Sequence, residues 1–236
     1  MRKAVLGFAI FLAGCAVEVS GPGSSGSQTS GSGDTQVSRT GTGSVTPAAF
    51  RRVVSRVEPV SEAQCRARTT GANCDFRVVI DDRPGQPANA FQTLDDNGRP
   101  MLVFNVALLE DLRNEDELAF IFGHEAAHHI QGHLARLNQN ATAGAAIGGI
   151  LASVLGGGAG AVEQAQQAGA LVGGRAYSKD FELEADALGT VISARAGYDP
   201  VLGAEFFTRL RDPGNVFLGT HPPNACLLYT SDAADE

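Results

Sequence analysis

The chain has 236 residues, 26 acidic against 18 basic, and a formal net charge of −8. An acidic chain without a basic stripe argues against a nucleic-acid partner. Hydrophobic residues make up 43% of it, which suits one domain with an apolar core over residues 46–225.

Arg2 and Lys3 precede an apolar run from Ala4 to Ala13. The run is too short for a permanent membrane span and reads as a secretory signal peptide, residues 1–14. Leu12-Ala13-Gly14-Cys15 resembles the bacterial lipobox. That resemblance implies cleavage before Cys15 and acylation of this cysteine, and more than one acyl chain gives stable anchoring. Ala16 rather than Asp after the cut favours the outer membrane, by analogy with enterobacterial sorting. Gly, Ser and Thr dominate residues 20–45, so residues 15–45 form a lipidated cysteine and a flexible tether.

Thr46 to Val60 is expected to be helical, with Phe50, Val53, Val54 and Val57 on one side. Cys65 and Cys74 flank a Thr-Thr-Gly turn and form a disulfide candidate in an oxidising envelope; free buried thiols are the alternative. Asp75–Asp81, Asn89–Leu94 and Pro100–Val106 are strand candidates. Asp95-Asp96-Asn97-Gly98 marks a hairpin between the last two. A helix follows from Val106 or from Asn114, where Asn114 and Glu117 resemble a capping box. Glu115, Asp116 and Glu117 suit the positive end of its dipole. This helix should end near Asn138 to Asn140. Ala141 to Val162 carries no charge and reads as a small-residue helical hairpin packed on the domain, with a membrane-touching segment as the alternative. Its GGGAG run lacks Gly-Lys-Ser/Thr and reads as a bend. Another helix should run from Ser178 to Ala194, stopped by Gly197, and Asp199-Pro200 should open one that reaches Arg211. Residues 226–236, CLLYTSDAADE, resemble a translated sequencing adapter, so native sequence is expected to stop near Ala225 and the domain to be truncated there.

Four of the five histidines fall between His124 and His133. His124-Glu125-Ala126-Ala127-His128 is HExxH. Residues four apart on a helix differ by about 40° around its axis. Both imidazoles therefore leave one face, the geometry for holding one zinc ion. Glu125 sits beside that face, where its carboxylate can take a proton from zinc-activated water. A metzincin would need Gly and His where Gln131 and Leu134 stand. His133, nine residues from His124, lies about 180° around a continuous helix and should point away. His129, about 100° from His128, is also a poor ligand; surface or satisfied polar contacts are expected for both. A third ligand should be a carboxylate from another helix. Glu182 and Asp186 share a face, so Glu182 can serve the zinc and Asp186 the free nitrogen of a ligating histidine. Glu184 is near the opposite side. A solvated acidic helix start would look the same by periodicity.

The ordered motifs NEDELAFIFGHEAAHHIQGH, YSKDFELEADALG, AGYDP and THPP resemble the HExxH zinc endopeptidases that include the CAAX prenyl endopeptidase and HtpX, in their soluble periplasmic lipoprotein branch. The resemblance covers about residues 50–225. It implies an α+β, mainly helical zincin-like metallopeptidase domain with a small β-sheet beside the active-site helix. It implies that His124, His128 and Glu182 bind Zn2+, one ion per chain, that Glu125 is the catalytic base and that Asp186 partners Glu182. It places Asn89, Ala90 and Phe91 along the cleft, where a strand edge can pair with an extended substrate. It brings His221 near the metal, to steady the oxyanion or hold the enzyme latent. The arginine that usually follows the His-Pro segment is absent, and so are the family's integral-membrane helices, which argues against prenylated substrates.

The expected function is thus a zinc-dependent endopeptidase on the periplasmic side of the outer membrane. It would cleave internal bonds of unfolded or misassembled envelope proteins, with the membrane reached through the lipid anchor. The alternative is a latent or non-catalytic zinc lipoprotein that acts as a chaperone or assembly scaffold. A toxin-like secreted protease is disfavoured by the lipobox and tether.

Overall fold

A computed structural model describes residues 45–175 and 178–209. Helix α1 (Pro47–Arg68) starts where the Thr46 hydroxyl accepts the Ala49 N–H at 3.2 Å and Pro47 fills the first turn. Phe50, Val53 and Val57 are buried along one stripe. The helix continues through Pro59 and runs eight residues past its expected end at Val60. Its buried stripe continues there as Ser61, Gln64 and Cys65, polar or small residues that a hydrophobic pattern does not register. A disulfide joins Cys65 to Cys74, with 5.6 Å between the Cα atoms.

Three strands form a sheet in the order β1-β3-β2: β1 (Arg77–Asp81), β2 (Ala90–Leu94) and β3 (Pro100–Asn105). Central β3 runs parallel to β1 and antiparallel to β2, pairing Val79 with Val103 on one side and Gln92 with Leu102 on the other. The β2–β3 turn closes as expected. Asp95 Oδ1 accepts the N–H groups of Asn97 and Arg99, and Gly98 takes φ 77°, which a side chain would strain. Leu102 and Phe104 of β3 are fully buried. Phe104 meets Phe50 of α1 edge-on at 5.9 Å and stacks on Phe122 at 5.8 Å. Those contacts lock sheet and helices into one core.

Both expected helix starts are used. Asn105 caps α2 (Val106–Asp111) and Asn114 caps α3 (Glu115–Ile130). Asn114 Oδ1 accepts the Glu117 N–H at 2.8 Å, and Glu117 reaches back to the Arg113 N–H at 2.8 Å. Glu117 is nearly fully buried and is held by the Arg209 guanidinium. Helix α3 is the central element, packed by α1, α6 (Ser178–Arg195) and α7 (Pro200–Arg209).

Helix α3 ends at Ile130, not near Asn138 to Asn140. Gly132 adopts a left-handed φ of 67°, and a new helix, α4 (His133–Val154), begins beyond it. Helix α4 pairs with α5 (Ala159–Arg175) in the expected hairpin, bent at Gly156 and Gly157. The pair packs chiefly on itself rather than on the domain, with Gly144 against Gly169 and Gly148 against Ala165. Ile147, Ile150, Leu151 and Val154 remain exposed on α4, as does Leu155 just beyond its end. Among the described residues, no helix is long and apolar enough to cross a membrane.

Candidate metal centre

Helices α3 and α6 cross at two glycines. A Cβ on Gly123 would lie 2.8 Å from the Gly189 carbonyl oxygen, and one on Gly189 would lie 2.8 Å from the His124 nitrogen. Only glycine at both places allows this approach. It carries the acidic face of α6 onto the histidine face of α3.

There His124, His128 and Glu182 each turn one donor atom inward, all within 4.8 Å of one another. His124 Nε2 lies 2.9 Å from His128 Nε2 and 3.3 Å from Glu182 Oε2. His128 Nε2 lies 3.5 Å from Glu182 Oε1. Tetrahedral zinc with Zn–N bonds of about 2.0–2.1 Å separates its donors by about 3.3 Å, so the three atoms need to move only a few tenths of an ångström to share an ion. Two imidazoles and a carboxylate are also the donor chemistry zinc takes. His124 and Glu182 are almost wholly buried, at 1% and 2% exposure. A carboxylate buried this deeply needs a cation or a proton beside it.

Asp186 is fully buried one turn after Glu182 on α6, with Oδ1 2.8 Å from His124 Nδ1. Burial works against a charged His124, but its hydrogen bonds to Asp186 and Glu182 raise its pKa well above the ordinary imidazole value. The pocket therefore favours positive charge at this point. Glu125 is buried at 5% exposure, directly after His124 on α3.

Ala90 and Phe91 open β2, which packs near α3. Asn89 precedes them, with its N–H donating to Asn105 Oδ1 and its carbonyl accepting the Asn105 N–H. Among the described residues strand β2 pairs only with β3 and its other edge has no partner strand, and Phe91 is 39% exposed. His221 and Cys15 lie outside the described residues.

His129 turns away as expected, its Nε2 2.7 Å from the Asn73 carbonyl and its ring edge-on to Phe76. Burial lowers its pKa. His133 does not point away. The break at Gly132 resets the helical count and brings its Nδ1 to 2.9 Å from His128 Nδ1. Its Nε2 meets Glu184 Oε2 at 3.0 Å, and Arg136 donates to the same oxygen at 2.6 Å. The ring lies flat on Phe181 at 4.7 Å. Burial pulls the His133 imidazole down to about 4, against the upward pull of Glu184. His133, Glu184, Arg136 and Phe181 thus form a group that angular counting missed. The signal was Gly132, a residue suited to the left-handed turn that ends a helix.

A mainly helical α+β domain with HExxH on its central helix and a carboxylate from the next layer defines the HExxH class of metal-site domains. The profile of peptidase family M48 matches residues 47–226, and the chain belongs to that family. The ordered motifs pointed to the right one. Putative beta-barrel assembly-enhancing protease of Vibrio cholerae is 38% identical over 107 residues, 42% of this chain and 22% of its own length. The beta-barrel assembly-enhancing protease of Escherichia coli K12 is 30% identical over 54% of this chain and 27% of its own length. That of Yersinia pestis is 32% identical over 65% and 31%. The chain therefore spans less than a third of the length of these relatives.

Proposed function

We propose that this chain is a zinc-dependent endopeptidase. The observation that carries the reading is the convergence of His124, His128 and Glu182 within 4.8 Å, with the buried Glu125 directly after His124 on α3. His124 Nε2, His128 Nε2 and the Glu182 carboxylate would hold one zinc ion. The ion would supply Lewis acidity and lower the pKa of the attacking water. Glu125 takes the proton of that water at its carboxylate and returns it to the leaving amide nitrogen. Asp186 accepts the His124 Nδ1–H, which keeps the Nε2 lone pair directed inward. Asn89, Ala90 and Phe91 would line the cleft, where the outer edge of β2 presents the main-chain groups of Ala90, between the β3-paired Asn89 and Phe91, to an extended peptide.

Substrate and location are further parts of the same reading. The relatives named for beta-barrel assembly support envelope proteins as substrates, unfolded or misassembled ones in particular. The lipobox-like segment before Cys15 supports an outer-membrane lipoprotein facing the periplasm. The test is metal analysis of the purified chain beside cleavage of an unfolded protein. One zinc per chain, with cleavage lost to a chelator and restored by zinc, is the expected result. A chain that cleaves equally well after zinc removal would rule the reading out.

A further inference from the structure

His128 has a partner of an unusual kind. A ligating histidine commonly gives its second N–H to a carboxylate or a carbonyl, as His124 does to Asp186. His128 faces another imidazole instead, Nδ1 to Nδ1 at 2.9 Å. Two such nitrogens attract only if one carries a proton and the other a lone pair. With Nε2 of His128 directed at His124 and Glu182 as a ligand, its proton must sit on Nδ1. His133 Nδ1 is then the acceptor, and the His133 proton sits on Nε2, aimed at Glu184 Oε2 3.0 Å away. The opposite arrangement places a proton on His128 Nε2, in the space a metal ion needs. Everything behind His133 favours the first arrangement. Glu184, which only accepts, is held by two Arg136 nitrogens at 2.6 and 3.4 Å. The His133 ring is clamped flat on Phe181, and the Arg136 guanidinium covers Phe181 at 4.3 Å. Phe181 directly precedes Glu182, so one cluster orients a histidine ligand and braces the helix that brings the carboxylate.

We propose that His133, backed by Glu184 and Arg136, is a positioning residue that fixes His128 in its metal-binding tautomer. The inference rests on His128 being a ligand, and not on peptide cleavage. The test measures zinc affinity of the full chain by chelator competition. His133→Phe keeps a flat ring for Phe181 but cannot accept a hydrogen bond. His133→Asn returns an acceptor oxygen near the Nδ1 position. His133→Phe should weaken zinc binding about 10- to 100-fold, the usual loss when a partner of a metal ligand is removed. His133→Asn should restore most of that loss. Zinc binding of parental strength in a folded His133→Phe chain would overturn the proposal, as would an Asn variant no better than Phe. Should His133→Phe not fold, nitrogen-15 spectra of the zinc-loaded parent decide. A proton on His128 Nδ1 and on His133 Nε2 is expected, and one on His133 Nδ1 overturns the idea. A parent that binds zinc without cutting peptides defeats the peptidase reading alone. A parent that binds no zinc defeats both.

Discussion

Replacing Gly189 by Ala tests whether the α3–α6 crossing sets the geometry of the site. The new Cβ would lie 2.8 Å from the His124 nitrogen and 3.0 Å from its Cα, where ordinary contact begins at 3.4 Å. Those atoms are backbone inside a packed helix, so α6 must withdraw by about 0.6 Å, the difference between 3.4 and 2.8 Å. Overpacking of this kind costs about 1–3 kcal/mol. The helix propensity of alanine returns about 1 kcal/mol. The net loss is about 1 kcal/mol, a fall in Tm of about 2–4 °C. Glu182 and Asp186 ride on the displaced helix, so zinc affinity should fall about tenfold, as for other disturbances behind a metal site. Gly174→Ala is the control. Its Cβ would lie 3.8 Å from the Ala141 side chain, ordinary contact, so it should stabilise by about 0.5–1 kcal/mol. The assays are thermal unfolding and chelator competition. A Gly189→Ala chain that melts with or above the parent and binds zinc equally well would mean that the crossing does not set the geometry of the site.

Asp186→Ala should leave the fold in place and weaken zinc binding about 10- to 100-fold in chelator competition, because His124 loses the acceptor for its Nδ1–H. Arg209→Met removes the partner of the buried Glu117 and should cost about 3 kcal/mol in urea unfolding. Replacing both Cys65 and Cys74 by Ser should cost somewhat under about 3 kcal/mol in the same assay, from the loop entropy alone. The metal-free chain should be most stable near pH 6.5 as far as these histidines decide it. His133 has a folded pKa of about 4 against a reference of 6.5, so the unfolded chain binds its proton first and stability falls as pH drops between those values. His124, raised by Asp186 and Glu182, contributes fully below 6.5 and loses that contribution as pH rises through its folded pKa. Urea midpoints at pH 5, 6.5 and 8 check this, and a midpoint still climbing from 6.5 to 8 would contradict it.

Local signals were legible where the chemistry is local. Thr46, Asn114 and Asp199 mark helix starts because each side chain accepts N–H groups of its own first turn. Asn97-Gly98 marks the hairpin because the left-handed turn needs glycine. The shared face of His124 and His128 follows from helical spacing within α3. The same spacing misplaced His133, because an angle counted along a helix means nothing across Gly132, where the helix stops. Residues Ser61 to Arg68 of α1 were missed because their buried positions are Ser, Gln and Cys. That Glu182 reaches the two histidines depends on Gly123 meeting Gly189, a contact 66 residues apart that leaves no periodic trace. Parallel pairing of β1 with β3 is likewise a property of the assembled sheet.

In the proposed reaction Glu125 moves a proton for peptide hydrolysis beside a zinc ion. The most direct measurement compares casein cleavage by the parent and by Glu125→Gln, each with its zinc content determined. A Gln side chain keeps the size of Glu but cannot take the proton. The expected result is a parent that cuts and a variant that holds one zinc without cutting. A zinc-loaded Glu125→Gln chain that cuts at the parental rate would contradict it.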